Sequence, residues 1–392
     1  MGLPSEVCTE WWLLADDDLV WSDLLQHSCV DIEAERDYMS HKLPEIGKNK
    51  AIFASWYRRY KDFADSYTRM RRAMNKLKVW ASINCPPLLQ SLSPGLGWMG
   101  SESIPVRELL SVTSDSPEMR DFIIAYHLHD GQRRRMRRFD RYGLFGTYEC
   151  YGDFCSVVWL PSRMLQVMEL GLFKVAVFAL CPETLNYLGI VVQCPDEFSR
   201  QTLNHVVEMQ PGTYRYRDKG LFGDFFTSYI DQLVEGHYDI YDNMISLMPN
   251  RGPFTSTSIV RGIKTTVSAM FCAHPVRSQR LYRYQVTFEL VSAEALGYPS
   301  AQLKSRSWLI RYANDQFTQT GGDGVIGKHP LLSEKEPYFK YCSLLQDELD
   351  HEMLVAFEGD FTMVPGSLAN PLGPQFTLPV THVEVPIPNE FF

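Results

Sequence analysis

Residues 303–311 read Leu-Lys-Ser-Arg-Ser-Trp-Leu-Ile-Arg, residues 321–332 Gly-Gly-Asp-Gly-Val-Ile-Gly-Lys-His-Pro-Leu-Leu, and residues 357–368 Phe-Glu-Gly-Asp-Phe-Thr-Met-Val-Pro-Gly-Ser-Leu. The middle segment contains a G-x-G-x-x-G at Gly322, Gly324 and Gly327, which invites a dinucleotide reading. That reading requires a helix to open just after the glycines, with its N-terminus on the pyrophosphate. Pro330 follows within three residues of Gly327, and Pro337 closes the segment, so no helix long enough to cradle a phosphate fits. The context excludes a Rossmann fold here.

The flanking pattern is strand-like. Tyr282, Tyr284, Val286, Phe288 and Leu290 alternate with Arg283, Gln285, Thr287 and Glu289, which predicts a half-buried antiparallel strand with its second set facing solvent. Further strands are expected over Ile263–Met270, Ser305–Tyr312, Phe339–Cys342, Val355–Met363 and Phe376–Val385, and this run with almost no helix predicts a β-sandwich. The two prolines of the tail, Pro386 and Pro388, cannot continue a central strand.

Upstream the periodicity changes. Apolar residues at Phe53, Trp56, Tyr60, Phe63, Tyr67, Met70, Met74 and Leu77 are spaced alternately three and four apart, which predicts one long amphipathic helix. Arg58, Arg59, Arg69, Arg72 and Lys76 lie mostly off this stripe, and its aromatic and Met-rich character favours packing on neighbouring domains over a coiled coil. Residues 1–45 hold 11 acidic and 2 basic side chains and residues 46–80 hold 2 and 10, charges of -9 and +8 that are expected to neutralise each other. Beyond the prolines at 86, 87 and 94 a mixed region begins. Helices are expected over Ile104–Val112, Glu118–Tyr126 and Phe222–Leu233, and strands over Cys155–Leu160, Phe173–Leu180 and Leu188–Cys194, forming one sheet with helices on a face. Gly131 suits the helix end before it, and the Arg133–Arg138 run reads as a solvated or partner-facing loop.

Chain length, 392 residues at 45% hydrophobic, favours several domains, assigned as 1–45 and 46–84 (helical), 85–252 (mixed) and 253–392 (all-β). The fold class is multi-domain α+β. Nine cysteines without a C-x-x-C pair argue for reduced thiols in an intracellular protein, without disulfide framework or zinc site. No import signal is apparent at the N-terminus, no apolar run reaches the roughly 18 to 20 residues of a bilayer span, and the net charge of -9 gives no reason to expect nucleic-acid binding.

Catalytic candidates are thin. His127 and His129 lack a third ligand and read as helix-end residues; Asp16, Asp17 and Asp18 lack the spacing of a calcium loop and read as helix-start charges; His351 and Glu352 lack a second histidine. No cofactor or metal is expected. Gly322, Gly324, Gly327 and Lys328 are the best candidate for a ligand contact, an anion-binding nest, against the alternative of a hairpin whose glycines supply positive φ.

The region from about Ser258 onward resembles an ApaG domain through Arg306-x-Trp308, the glycine loop and Phe361-Thr-Met-Val-Pro-Gly-Ser-Leu. The resemblance implies a fibronectin-type-III-like sandwich. Tyr126-His-Leu-His-Asp-Gly-Gln and Phe225-Phe-Thr-Ser-Tyr-Ile resemble the SUKH domain of animal and plant F-box proteins that end in ApaG. Residues 7–24 resemble the second half of an F-box, with only Leu3 and Pro4 standing for the first. The resemblance implies a non-enzymatic recognition adaptor, a substrate-recruiting subunit of a Skp1–Cullin–F-box ubiquitin ligase, in cytoplasm or nucleus. Its Skp1-binding residues would be Leu3, Pro4, Val7, Cys8, Trp11, Leu14, Leu19, Trp21 and Leu24. Two alternatives stay open: a stable subunit of a larger assembly, for example cytoskeletal, whose F-box has eroded, and a phosphate- or pyrophosphate-binding protein.

Overall fold

The computed structural model describes residues 18–30, 32, 49–95, 116–132, 142–150, 153–170, 173–181, 187–194, 202–209, 216–252, 254–273, 280–346 and 354–385. The chain mixes helix and sheet and becomes sheet-rich toward its C-terminus. The expected helix at Ile104–Val112, the Arg133–Arg138 run and the tail from residue 386 lie outside the described residues.

Four helices come first: α1 (Asp18–His27), α2 (Asn49–Tyr60), α3 (Ala64–Asn84) and α4 (Pro86–Ser91). The single helix expected across residues 53–77 is therefore two, separated by a 3-10 turn at Lys61–Phe63. Aromatic packing accounts for the break. Trp56 and Tyr67 are 11 positions apart, about 16 Å along a straight helix, yet their rings meet edge-on at 5.4 Å, and Tyr60 meets Tyr67 at 4.7 Å. Only a bend brings them together. The stripe otherwise behaves as its spacing demands, with Trp56, Tyr60, Tyr67, Met70, Met74 and Leu77 buried.

The middle region adds α5 (Arg120–Leu128), α6 (Phe222–Val234) and ten strands: β1 (Thr147–Cys150), β2 (Asp153–Ser156), β3 (Val158–Trp159), β4 (Gln166–Leu170), β5 (Phe173–Leu180), β6 (Tyr187–Gln193), β7 (His205–Met209), β8 (Tyr216–Leu221), β9 (Tyr238–Tyr241) and β10 (Met244–Pro249). One antiparallel sheet runs β3-β5-β6-β7-β8 with β4 also on β5, and a smaller one runs β2-β1-β10-β9. Helices α3, α5 and α6 share one core with Ala176, Phe178, Ile190 and Val206 of the larger sheet, while Val175, Val177, Val191 and Val207 line a second apolar cluster. Burial on both faces is why β5 and β6 read as unbroken apolar runs rather than alternating ones. Helix α3 is thus built into this core rather than acting as a spacer.

Its basic residues find their partners here too. Arg69 bonds Asp121 and, at 2.9 Å, Asp224, and Lys76 bonds Asp231 at 2.7 Å. These carboxylates belong to α5 and α6, whereas the charge tally had pointed to the acidic N-terminal segment. A Cβ on Gly223 would fall 2.0 Å from the Asp121 carboxylate and 2.3 Å from the Arg69 guanidinium, so glycine is required where α6 crosses this ion pair.

Residues 126–132 clamp helix to sheet. The Tyr126 hydroxyl donates to the Leu160 carbonyl, and the Ser162 amide donates to Asp130 at 2.6 Å. Gly131 has a φ of 63°, and a Cβ there would strike the Leu160 carbonyl at 2.5 Å. This is a crossing point three residues beyond the helix rather than the helix cap itself. Buried Gln132 fills its amide: Nε2 donates to Ser91 Oγ (2.8 Å) and the Tyr142 carbonyl (2.7 Å), and Oε1 accepts from Leu144 N (2.9 Å) and Trp159 N (3.0 Å).

The C-terminal region comprises β11 (Thr255–Val260), β12 (Ile263–Ala273), β13 (Arg280–Leu290), α7 (Ala293–Leu296), β14 (Ser300–Tyr312), β15 (Phe317–Asp323), β16 (Leu331–Ser333), β17 (Tyr338–Gln346), β18 (Leu354–Pro365) and β19 (Phe376–Glu384). Two antiparallel sheets, β11-β12-β13-β17 and β15-β14-β18-β19 with β16 on β14, face each other across one core. Trp308 sits at its centre, edge-on to Tyr284 (5.6 Å), Phe357 (5.2 Å) and Phe361 (5.2 Å). Tyr282, Tyr284, Val286 and Phe288 point inward as the alternation requires, but Arg283 and Gln285 on the other face are also buried. That face does not meet solvent along its whole length. Met270, Cys342 and Leu344 beside them pack with Cys181, Val157 and Leu247 of the middle region, forming a seam between the two domains.

Gln132→Leu leaves two amides and a carbonyl in the clamp without their partner, while the Ser91 hydroxyl keeps its bond to Leu88, and the expected loss is about 3–5 kcal/mol of stability, read from urea denaturation. His129 gives a pH test. Its Nδ1 lies 2.9 Å from the Ser93 carbonyl, which can only accept, so Nδ1 carries a proton. Burial, joined by nearby Lys78 and Arg71, lowers its pKa from 6.5 to about 4 despite the bond to Ser93. A folded pKa below the unfolded one means stability is full above about pH 6.5 and falls as pH drops toward 4, by up to about 3 kcal/mol. In His129→Gln this part of the acid loss disappears from the stability-versus-pH curve.

Candidate functional site

Among the described residues no cluster of three or more His, Cys, Asp or Glu side chains could hold a metal. His127 lies in α5, His129 is held in the clamp, and burial pushes the Cys85 thiol up to about 12, far from a nucleophile's range. Cys29, Cys85, Cys181, Cys194 and Cys342 are free thiols. Asp18 opens α1, whereas Asp16, Asp17, His351 and Glu352 lie outside the described residues.

The glycine segment is a hairpin. Gly322 ends its run in β15 opposite Arg306. Val325 and Lys328 exchange both backbone hydrogen bonds at 2.8 Å, and between them Ile326 and Gly327 have φ of 45° and 72°. Positive φ at both central residues is the type I′ geometry that matches strand twist. The Gly324 amide donates to the Lys304 carbonyl at 2.7 Å, and the Lys328 amide to Val325. Gly322, Gly324, Gly327 and Lys328 are therefore neighbours in one hairpin, in which the Gly324 and Lys328 amides are taken up by backbone carbonyls.

Of the nine Skp1-contact candidates, Leu3, Pro4, Val7, Cys8, Trp11 and Leu14 lie outside the described residues, and Leu19, Trp21 and Leu24 are on α1. The helix has an anchored side: Leu25 is fully buried with Ile52 of α2, and the Trp21 ring lies 5.5 Å from Phe53. Leu19 and Leu24 are turned outward, 75% and 38% exposed. The three described residues of the F-box-like pattern therefore divide into one that docks the helix, Trp21, and two that offer apolar surface, Leu19 and Leu24.

Among the described residues the seam between domains contributes no catalytic set, yet it joins the sandwich to the middle region. Cys342 Sγ lies 3.8 Å from Gln285 Oε1, Lys340 Nζ stands 4.6 Å over the Tyr241 ring and Arg217 stands 6.0 Å over Phe254. Burial lowers the Lys340 pKa, opposed by nearby Cys342 and Asp239. Sequence alone could not place these residues, because each cation lies in one domain and its ring in the other.

Comparison with known proteins gives these elements a context. The ApaG domain family model matches residues 272–365, from the end of β12 through β18. The chain is 32% identical to F-box protein SKIP16 of Arabidopsis thaliana over 159 residues, covering 38% of this chain and 35% of that protein. It is 24% identical to F-box only protein 3 of Bos taurus over 307 residues, 74% of this chain and 61% of that one. Protein ApaG of Anaeromyxobacter dehalogenans is 35% identical over 112 residues, covering 28% of this chain and 81% of the bacterial protein. The chain thus spans roughly one third to three fifths of the length of the F-box relatives it matches. It belongs to the ApaG-domain family and is of the F-box/ApaG type.

Proposed function

We propose that this chain is a non-enzymatic protein-recognition adaptor, the substrate-recruiting subunit of a Skp1–Cullin–F-box ubiquitin ligase. The observation that carries the reading is α1. A ten-residue helix held by Leu25 and Trp21 against α2 leaves Leu19 and Leu24 exposed, in the stretch where the sequence resembles an F-box. Exposed leucines on a docked helix offer apolar surface that a partner can cover. The names of the F-box relatives support the same direction. In this reading the middle domain is SUKH-like, the C-terminal sandwich is fibronectin-type-III-like, and together they present a surface to a client. Among the described residues no helix is long and apolar enough to cross a membrane.

The test is co-purification with Skp1. Trp21 is a poor probe, because its ring packs on Phe53 and its removal disturbs α1 itself. Leu19→Glu and Leu24→Glu change exposed side chains. The expected outcome is a stable complex with the parent chain and about thirtyfold weaker binding in the double variant, the scale of an interface hot spot, with unchanged circular dichroism. A complex indifferent to both substitutions, or none at micromolar concentration, sinks the proposal.

A further inference from the structure

The sandwich has one edge with the features of a docking site. Strand β15 reads Phe-Thr-Gln-Thr-Gly-Gly-Asp and pairs with β14 in unbroken register over seven residues. Natural sheet edges are protected by lysines, prolines, bulges or covering elements. β15 contains no lysine, arginine or proline, and no bulge interrupts its pairing. The other edges of this domain differ. β11 and β19 are tied to each other through Ser256–Thr381 and Ser258–Pro379, and β17 lies at the seam, where Lys340 stands over Tyr241.

The ladder's phase fixes which groups face outward. The Gly324 amide donates to Lys304 and the Tyr312 amide to Gln316, so Thr318, Thr320 and Gly322 direct their backbone groups at β14. By alternation, the amides and carbonyls of Phe317, Gln319 and Gly321 point to the open edge.

A second observation specifies the occupant. Arg306 on β14 pairs with Gly322 on one side and Phe361 on the other, and Phe361 is in the core, so the Arg306 side chain lies on the core-facing side near Tyr341. It is half-buried, and among the described residues no carboxylate or hydrogen-bond acceptor meets its guanidinium. A Cβ on Gly322 would stand 3.8 Å from its Nη1, so the missing side chain leaves the guanidinium open toward the edge. The neighbouring charges are Lys304, Lys328 and Asp323, all exposed, with Arg311 farther along β14 already paired to Asp315 at 2.6 Å.

We infer that β15 accepts an extended peptide as an added strand, with an acidic side chain opposite Gly322 passing over the glycine to pair with Arg306. Two inter-strand spacings put the incoming Cα about 10 Å from that of Arg306, the reach of an arginine and a glutamate meeting end to end. Backbone pairing along Gln319 and Gly321 supplies general affinity, and the half-buried Arg306 charge supplies selectivity for acidic segments. The inference deepens the client-binding half of the adaptor reading and is measured without Skp1, so either can fail alone.

The probe is a fluorescent heptapeptide Thr-Val-Thr-Glu-Thr-Val-Thr and its Gln counterpart, titrated into the full chain by anisotropy, with hydrogen exchange read at Gln319 and Gly321. Expected are slowed exchange at both amides and about tenfold weaker binding of the Gln peptide, the value of one charge-assisted contact. Arg306→Gln and Gly322→Val each erase the difference between peptides, and Gly322→Val leaves the inward guanidinium in place, which separates a blocked gap from a lost fold. Equal binding of both peptides, or unchanged exchange at millimolar peptide, overturns the inference. So does inorganic phosphate protecting the region around Arg306 when the peptide does not.

Discussion

One side-chain amide holds the middle of this molecule together. Gln132 reaches α4 through Ser91, the following loop through Tyr142 and Leu144, and the sheet through Trp159, and no hydrogen-bonding position on its amide is left over. Inside a protein such a network is worth most when complete, because every unpaired member bears the full cost of leaving water. The residues before it serve the same junction. Tyr126 bonds Leu160, Asp130 bonds Ser162, and Gly131 permits a backbone approach that any Cβ would block. A stretch with two histidines and an aspartate, which superficially resembles an acid–base set, is used to fasten a helix to a sheet.

The same logic extends to the seam. A sandwich of this kind ordinarily wets the outer faces of both sheets, but here the face bearing Ser268, Arg283 and Gln285 is closed by the middle domain. Polar side chains at a closed interface stabilise little unless matched, yet they make a wrong docking angle costly. Lys340 over Tyr241 and Arg217 over Phe254 add attraction that each domain lacks alone. The sandwich is thus joined to the middle region by apolar packing and by cation–π contacts together.

How much of this was legible in the sequence follows from what periodicity can encode. The alternation at Tyr282–Leu290 identified the strand and its core face, and Pro330 correctly removed the dinucleotide fold. Periodicity cannot report what lies beyond the second face, so the burial of Arg283 and Gln285 was invisible. Nor could it locate the break at Lys61–Phe63. The three-four spacing runs unbroken through the turn because the aromatic residues on both sides face one cluster, and that cluster causes the bend. The glycine loop was half legible. Positive φ at Gly324 and Gly327 was expected, but the engagement of the Gly324 amide by Lys304 depends on the β14–β15 register, which no local motif carries.

These constraints also decide how the exposed features relate. Helix α1 is joined to the rest through Leu25 and Trp21 on α2, and α2 is set against α3 by Trp56, Tyr60 and Tyr67. From α3 the path runs through the Arg69 and Lys76 ion pairs into α5 and α6, through the Gln132 clamp into the sheet, and across the seam into the sandwich. Each joint is packed or charge-paired, and interiors this dense change arrangement in discrete steps rather than by gradual bending. The exposed leucines of α1 and the open edge at β15 are therefore joined through one continuous chain of contacts, and a change at any of its joints reaches both.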